Sequence, residues 1–345
     1  MIKESYIGEK ALFLGNGIHR TGNNNGISWG ELLQKISSTY GIDTDLKNEL
    51  KPFPLAFEEM LYAKEGRNDF QNKLMNLKTR ISEILLTDAN SLIDNEIHRG
   101  FMQSGIKEVI TTNYDYNLEL SLDNNFLLKK KEYSINNLES KHSLYRGYKI
   151  AQVAVRHIHG ELKHNRNVEA SDKNYPEESI MIGFEHYSGY FTKIQSVIKG
   201  ESGKQNDAEK KSILIRIRDN DTGKVWTDLF FTHHLIFAGF SFDFSENHLW
   251  WLLIQREELK RKSNKFDVLI NNEITFCIPR LPNGSINYNI RSEEEFNKLY
   301  KQKLGTQKNK GVTDILNSLQ VNINQIECNS YREFYLKVIE QYSAN

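Results

Sequence analysis

Short apolar segments alternate with segments of helical periodicity along most of the chain. Runs of apolar residues predict buried strands at Ala11–Leu14, Glu108–Thr112, Ala151–Ile158, Ser179–Ile182, Leu235–Phe240 and Glu273–Ile278. Apolar residues three and four positions apart predict helices at Trp29–Tyr40, Glu185–Lys199 and Glu246–Lys260. Short strands separated by helices are typical of a parallel sheet that is covered on both faces. We therefore expect an α/β fold with a doubly wound, mainly parallel sheet.

A long stretch without strand signals separates the first two predicted strands. From Leu55 to Gln103 the apolar residues keep helical spacing, which predicts a helical layer inserted at about residues 55–105. Polar stretches typical of surface loops are Lys163–Glu178, Glu201–Lys211 and Lys301–Gly311. We predict a main domain over residues 1–260. Residues 261–345 are expected to complete it with a strand and with helices near Glu293–Tyr300 and Tyr331–Tyr342.

Charge and cysteine content narrow the classes of function. The chain has 45 Lys and Arg residues against 45 Asp and Glu residues, so no overall positive field would hold it on a nucleic acid or an anionic membrane. Cys277 and Cys328 are too far apart for a zinc ribbon or a redox pair and match a reducing compartment. The apolar runs are too short to span a bilayer, and the first residues do not resemble a signal peptide. We expect a cytoplasmic protein that does not read nucleic-acid sequence.

Four polar or glycine-containing segments follow predicted strands, where ligands of open α/β sheets bind. They are Gly15-Asn16-Gly17-Ile18-His19-Arg20, Thr111-Thr112-Asn113-Tyr114-Asp115, His157-Ile158-His159-Gly160-Glu161 and Ala238-Gly239-Phe240-Ser241. Each segment alone has an ordinary explanation. The glycines fit a plain tight turn, Asn113 or Asp115 fits a helix cap, and His159 fits a hydrogen-bonded histidine at a strand end.

In combination and in this order, the four segments resemble the NAD-binding constellation of the sirtuin family. The phrases that carry the resemblance are FLGNGIHR, ISWGELL, LAFEEML, ITTNYD, HIHGEL and IFAGFSFDFSENHLWWLL. They look most like the bacterial sirtuin-like proteins of anti-phage defence, which act as NAD hydrolases. The resemblance covers about residues 10–255. It implies a Rossmann-like sheet with an inserted helical layer, and NAD⁺ as the substrate.

The resemblance also implies roles for individual residues. The catalytic asparagine and histidine of the family match Asn113 and His159, and the aspartate beside the nicotinamide carboxamide matches Asp115. The residues that match the family's other nucleotide contacts are Gly15, Asn16, Gly17, Gly239 and Ser241. Three residues in these segments differ from the sirtuin pattern. Asn16 stands where sirtuins usually have alanine, Thr112 where they have glutamine, and Tyr114 where they have an aliphatic residue.

Two departures separate the chain from protein-deacylating sirtuins. Those enzymes carry a four-cysteine zinc module after the histidine, whereas Glu161–Glu178 contains no cysteine. The segment Ile182–Tyr187 replaces their acyl-lysine-binding strand and resembles the helix start of the defence branch. The resemblance therefore implies an NAD⁺ glycohydrolase that releases nicotinamide and ADP-ribose, without a zinc module. A zinc-free deacylase and a catalytically silent NAD or ADP-ribose sensor remain as alternatives.

Metal and partner expectations complete this interpretation. We expect no metal, although His157 and His159, two residues apart on a predicted strand, could form a metal site with His186 or Glu161. An enzyme that consumes NAD⁺ must be restrained before infection. We therefore expect a homo-oligomer or a separately encoded defence partner, such as an ATPase, an Argonaute or a nucleotide-processing enzyme. The expected contact surfaces are Leu55–Gln103 and Arg261–Asn345.

Overall fold

The computed structural model describes residues 2–21, 26–40, 51–62, 70–90, 96–135, 143–162, 180–201, 207–280 and 303–343. A seven-stranded sheet forms its centre. The strands of the described residues are β1 (Lys3–Glu4), β2 (Lys10–Leu14), β3 (Glu108–Thr111), β4 (Tyr148–Ile150), β5 (Val153–His157), β6 (His234–Ala238), β7 (Val268–Leu269), β8 (Ile274–Arg280) and β9 (Asn322–Glu327). The two short strands β1 and β7 pair with each other outside the main sheet.

The main sheet has the order β4-β5-β3-β2-β6-β8-β9, and only β4 is antiparallel to its neighbour. Numbered among themselves in chain order, the six parallel strands lie in the order 3-2-1-4-5-6, which is the order of Rossmann-like folds. The strand order reverses between β2 and β6, which pair directly. Ligands of such sheets bind outside the carboxyl ends of the strands at this reversal.

Helices surround the sheet. They are α1 (Trp29–Tyr40), α2 (Phe53–Tyr62), α3 (Phe70–Asn90), α4 (Glu96–Met102), α5 (Asn117–Leu120), α6 (Phe126–Tyr133), α7 (Phe184–Lys199), α8 (Asp207–Lys210), α9 (Ile213–Arg218), α10 (Leu229–Thr232), α11 (Asn247–Lys262), α12 (Lys303–Ser318) and α13 (Tyr331–Tyr342). No helix among these described residues combines the length and the apolar character needed to cross a membrane.

Alternating residues of the central strands bury both faces of the sheet. On β2, Ala11 and Phe13 join a core with α7, α9, α10 and α11, whereas Leu12 and Leu14 join a core with α4 and α13. Helices α1, α2 and α3 form a third core with Leu162 and Ile180. The sheet is therefore doubly wound, and a helical layer lies between β2 and β3 in sequence, as predicted.

The structure corrects several sequence predictions. The strand predicted at Ser179–Ile182 is wrong, because among its described residues only Ile180 makes a single bridge, to Gly160. The loop predicted at Lys301–Gly311 is helical from Lys303 onward, where α12 begins. The predicted strand at Ala151 starts later, at Val153, because Ala151 lies in a turn with φ of 53°.

Two strands of the main sheet, one at each edge, differ from the sequence prediction. Strands β4 and β9 were not predicted, since their polar residues break the apolar runs. Strands β8 and β9 extend the main sheet, so the residues after 260 contribute to the same core. The predicted helix near Tyr331–Tyr342 is confirmed as α13. Two further predictions, the helix near Glu293–Tyr300 and the loop at Lys163–Glu178, lie outside the described residues.

Candidate functional site

All four segments singled out in the sequence follow strands at one edge of the sheet. Gly15 follows β2, Thr112 follows β3, Ile158 follows β5 and Gly239 follows β6. Because these four strands are parallel and lie side by side, their carboxyl ends meet at the same edge. This edge includes the reversal point between β2 and β6. The topology thus brings the segments to the place where an α/β sheet binds ligands.

The glycines after β2 and β6 permit a close backbone contact. A Cβ atom on Gly15 would lie 2.4 Å from the carbonyl oxygen of Gly239, and one on Gly17 would lie 2.5 Å from the Tyr335 hydroxyl. The Gly17 N–H donates to the Gly239 carbonyl at 2.8 Å, and Gly239 itself has φ of 67°. The packing of the chain alone therefore requires glycine at these positions. Pyrophosphate contacts by Gly15 and Gly17 stay a prediction.

The loop after β3 fixes Asn113 through the neighbouring strand. The Thr111 hydroxyl donates to the Leu14 carbonyl at 3.0 Å, and the Asn113 N–H donates to the same hydroxyl oxygen at 3.0 Å. The Asn113 side-chain amide lies 3.5 Å from the Gly15 carbonyl. Asn113 is 6% exposed. Its side chain is thus held beside the turn that follows β2.

A buried histidine–glutamate pair fixes the other side of Asn113. His157 Nδ1 donates to the Asn113 carbonyl at 3.0 Å, and its Nε2 lies 2.6 Å from Glu119. Burial alone would lower the pKa of His157, but the charge and hydrogen bond of Glu119 outweigh it and raise this pKa. Both nitrogens of the ring thus have a fixed partner. His157 therefore acts as a rigid connection between α5 and the Asn113 backbone.

The loops that carry Asn113 and His159 are joined by further hydrogen bonds. The Leu162 N–H donates to the Tyr114 carbonyl at 2.6 Å, and the Tyr114 hydroxyl donates to the Met181 carbonyl at 2.7 Å. The Met181 N–H in turn donates to the His159 carbonyl at 2.8 Å. Four segments distant in sequence thus form one network, which limits independent movement of the two loops.

A pocket opens beside Asn113. The space between its walls, counted together with the solvent at its mouth, is about 480 Å³. Its polar lining comes from the turn after β2, the start of α1 and the loop after β3: Asn16, His19, Ser28, Thr112, Asn113 and Asp115. Its apolar lining comes mainly from the helical layer: Ile27, Trp29, Leu32, Leu85 and Tyr114. An apolar wall opposite a few convergent polar groups suits a flat ring with a polar substituent.

A linear arrangement of one acid and two histidines, here called the Asp115 chain, borders this pocket. Asp115 Oδ2 lies 3.0 Å from His19 Nε2, and His19 Nδ1 lies 2.8 Å from His98 Nε2. The Asn117 N–H also donates to Asp115, at 3.0 Å. Burial would raise the pKa of Asp115, but its interactions with His19 and Asn117 outweigh this and hold the pKa well below its usual value. The pocket therefore contains a fixed negative charge.

The far end of the Asp115 chain stays neutral. Burial, followed by the proximity of His19 and opposed by Asp115, lowers the pKa of His98 to about 3. The neutral His98 ring shares one hydrogen bond with His19 Nδ1 through its Nε2. The chain thus presents one acidic group to the pocket.

His159 lies in a second group, here called the His159 cluster, with Glu246 and His248. His159 Nε2 is 3.3 Å from His248 Nε2 and 3.3 Å from Glu246 Oε2. Its Nδ1 lies 3.4 Å from the Tyr187 hydroxyl. Burial, with Glu246 as the next cause, raises the pKa of Tyr187 well above its usual value, so the hydroxyl keeps its proton. Glu246 and His248 come from the start of α11, far from His159 in sequence.

The structure brings together part of the predicted site. Asn16, Asn113 and Asp115 line the pocket, while Gly15, Gly17 and Gly239 form the adjacent backbone contact. His159 is not part of the pocket lining, although its loop is bonded to the loop of Asn113. Ser241 lies two residues beyond Gly239 and is half-buried.

The proposed metal site of His157 and His159 is not formed. β5 ends at His157, so His159 lies in the following turn and the two rings have different partners. The suggested third ligands are also engaged elsewhere: His186 contacts Lys78, and Glu161 accepts from Tyr148. Sequence reasoning missed the participation of five side chains near the site, namely His19, His98, Tyr187, Glu246 and His248. Only the proximity of His19 to Gly17 was a local signal.

Comparison with known proteins finds no family model and no curated protein that matches the chain.

Proposed function

We propose that the protein is an NAD⁺ glycohydrolase. The observation that carries the proposal is the pocket between the segments that follow β2 and β3, which is lined by Asn16, Asn113 and Asp115. These are three of the residues that the sirtuin-like motifs assign to NAD⁺ binding and catalysis. His159, to which the motifs assign the second catalytic role, lies on a loop that is hydrogen-bonded to the loop of Asn113.

The reaction is hydrolysis of the bond between nicotinamide and ribose: NAD⁺ and water give nicotinamide, ADP-ribose and a proton. Departure of the positively charged ring leaves an oxocarbenium-like centre at the ribose, so the protein must orient the sugar and a water molecule. The Asn113 amide can both donate and accept hydrogen bonds without changing its charge. The proposal gives it the task of orienting the ribose and the water.

Asp115 and His159 have complementary tasks in this proposal. The Asp115 carboxylate is fixed by His19 and by the Asn117 N–H, and it accepts a hydrogen bond from the nicotinamide carboxamide. His159 accepts a proton from the attacking water or from a ribose hydroxyl at Nε2. Its Nδ1, which faces the Tyr187 hydroxyl, fixes the orientation of the ring.

The defence role extends the proposal beyond the chemistry. On the resemblance to anti-phage sirtuin-like proteins, the protein is an effector that depletes NAD⁺ and causes abortive infection. A separately encoded partner or a homo-oligomer holds the activity low before infection, since a switch requires a ligand that binds the two states differently. The proposed contact surfaces are the helical stretch Leu55–Gln103 and the tail Arg261–Asn345.

Chromatography of NAD⁺ incubated with the purified chain tests the chemistry, with and without the products of neighbouring genes. Release of nicotinamide with ADP-ribose is expected. Asn113→Ala should reduce the release by about 100-fold or more, whereas Asn264→Ala, at an exposed position in a 3₁₀ turn, should leave it unchanged. A requirement for an acylated peptide would instead support a deacylase. Intact NAD⁺ under every condition would support a sensor.

Expression in cells tests the defence role. Expression of the chain alone should be tolerated, and coexpression with the partner and the infection trigger should deplete NAD⁺ and arrest growth. Both effects should disappear in the Asn113→Ala variant. Full hydrolysis by the isolated monomer, unaffected by partner or concentration, would contradict the proposed restraint without affecting the proposed chemistry.

A further inference from the structure

The His159 cluster has a feature that hydrolysis of NAD⁺ does not require. Its three ligand-type atoms lie close together and come from two segments, the turn after β5 and the start of α11. All three atoms lie within 4.8 Å of one another. No other group of three histidine, cysteine or acidic side chains brings its ligand atoms this close together in the part of the chain that the structure describes.

The distances agree with those of a tetrahedral metal site. Zinc bonds of about 2.0–2.2 Å at tetrahedral angles separate neighbouring ligand atoms by about 3.3–3.6 Å. His159 Nε2 lies 3.3 Å from His248 Nε2 and 3.3 Å from Glu246 Oε2. The two distances from His159 Nε2 to the other ligand atoms thus already match those of a tetrahedral site.

The hydrogen bonding of the cluster leaves polar atoms for a ligand. Glu246 Oε2, one of the three ligand-type atoms, is buried without a hydrogen-bond partner among the described residues, and so is the second ring nitrogen of His248, Nδ1, which lies 3.7 Å from Glu246 Oε2. The side chain of His248 is 1% exposed, whereas that of Glu246 is 14% exposed. Burying such atoms without partners is costly. A cation that enters from the side of Glu246 and binds these side chains would remove part of this cost.

The surroundings of His159 suit a metal ligand. Metal-bound histidines usually engage their second ring nitrogen with a polar group, which fixes the tautomer. His159 Nδ1 faces the Tyr187 hydroxyl at 3.4 Å, so Nε2 can present its lone pair to the cluster centre. Two imidazoles with one carboxylate favour zinc and similar transition metals over magnesium or calcium, which prefer oxygen ligands.

We propose that His159, Glu246 and His248 form a binding site for a transition-metal cation of the Zn²⁺ class. This departs from the sequence expectation of no metal and is independent of a cysteine zinc module. A consequence rests on the proposed function: a cation on His159 Nε2 occupies the lone pair that would accept the proton. Bound Zn²⁺ therefore inhibits hydrolysis of NAD⁺.

Equilibrium dialysis against Zn²⁺ tests the site directly. The full chain, with any histidine tag removed, is treated with a chelator, dialysed and then titrated, and bound zinc is measured by elemental analysis. One zinc per chain is expected, together with a rise in Tm that Mg²⁺ at equal concentration does not produce. Glu246→Gln and His248→Gln should each weaken binding by about tenfold or more. His234→Gln, outside the cluster, is the matched control.

The outcomes are distinct because binding is measured without NAD⁺. Equal zinc binding by the wild type, Glu246→Gln and His248→Gln would overturn the site. Circular dichroism establishes that the variants are folded, and the nearly isosteric Glu246→Gln serves if His248→Gln is not. Zinc binding without inhibition of an active enzyme would overturn the consequence alone. An enzyme without NAD⁺ hydrolysis that still binds one zinc would contradict the proposed function and leave the site standing.

Discussion

The two groups of one acid and two histidines at the sheet edge differ in how their atoms are arranged. In the Asp115 chain, His19 uses one ring nitrogen toward Asp115 at 3.0 Å and the other toward His98 at 2.8 Å, so the groups form a line. In the His159 cluster, a single nitrogen faces both other residues, at 3.3 Å each. The Asp115 chain therefore connects its groups in series through both nitrogens of His19, whereas the His159 cluster gathers two groups around one nitrogen of His159. Composition alone does not separate a positioning network from a reactive or ligand-binding one.

The largest expected difference concerns activity. His159→Gln should lower NAD⁺ turnover by about 10²–10⁴-fold, because glutamine cannot accept the proton. His98→Gln should lower it by less than about tenfold, because an amide can still donate to His19 Nδ1 and keep Asp115 in place. Turnover of both purified variants, with circular dichroism as the folding control, measures the difference. Equal losses would mean that the two groups do not differ in role.

A second pair of substitutions measures the stability that the Asp115 chain provides. Asp115→Asn removes a buried charge that faces His19 and should lower the free energy of unfolding by about 1–3 kcal/mol. Asp123→Asn is the matched control, because Asp123 likewise accepts the N–H two residues onward, but its carboxylate faces the Tyr133 hydroxyl and Lys129 in place of a histidine. It should lower the free energy of unfolding by less than Asp115→Asn does. Denaturant unfolding at pH 7 compares them, and similar losses would argue against stabilisation by His19.

The pH dependence of stability isolates His98. Its pKa is about 3 in the folded protein and about 6.5 when unfolded, so between these values the unfolded chain binds more protons. The free energy of unfolding should therefore fall as the pH falls below 6.5. Relative to His98→Gln, the wild type should lose about 1–2 kcal/mol more between pH 7 and pH 5. Parallel pH profiles of the two proteins would show that His98 takes up a proton while folded.

The sequence predicted where the candidate site lies in the fold better than it predicted which side chains contact one another there. Apolar runs mark β2, β3, β5 and β6, and the residues after each run follow from the chain order alone. The contacts within the site depend on tertiary packing. His19 meets His98 across 79 residues, and His159 meets His248 across 89 residues, and no local pattern reports such pairs.

Failures of the sequence prediction have local physical causes. An alternating strand would place His157 and His159 on one face, but the strand ends at His157 and Gly160 adopts φ of 95°. The edge strand β9 has the sequence NINQIE, in which polar residues replace the apolar run of a central strand. The polar, glycine-containing start of α12 lacks the periodicity that predicts helices.

The smallest predicted effect tests the contact between Tyr187 and His159. Tyr187→Phe removes a hydroxyl that lies 3.4 Å from Nδ1, a long and therefore weak interaction. Turnover should fall by about two- to fivefold, with a loss of stability below about 1 kcal/mol. Tyr190→Phe, one turn later on α7, should show the opposite pattern, because it leaves the buried Trp226 Nε1–H without its acceptor at 2.6 Å. That variant should lose about 1–3 kcal/mol of stability and keep its turnover. If Tyr187→Phe instead costs stability and spares turnover, the hydroxyl supports packing and does not orient His159.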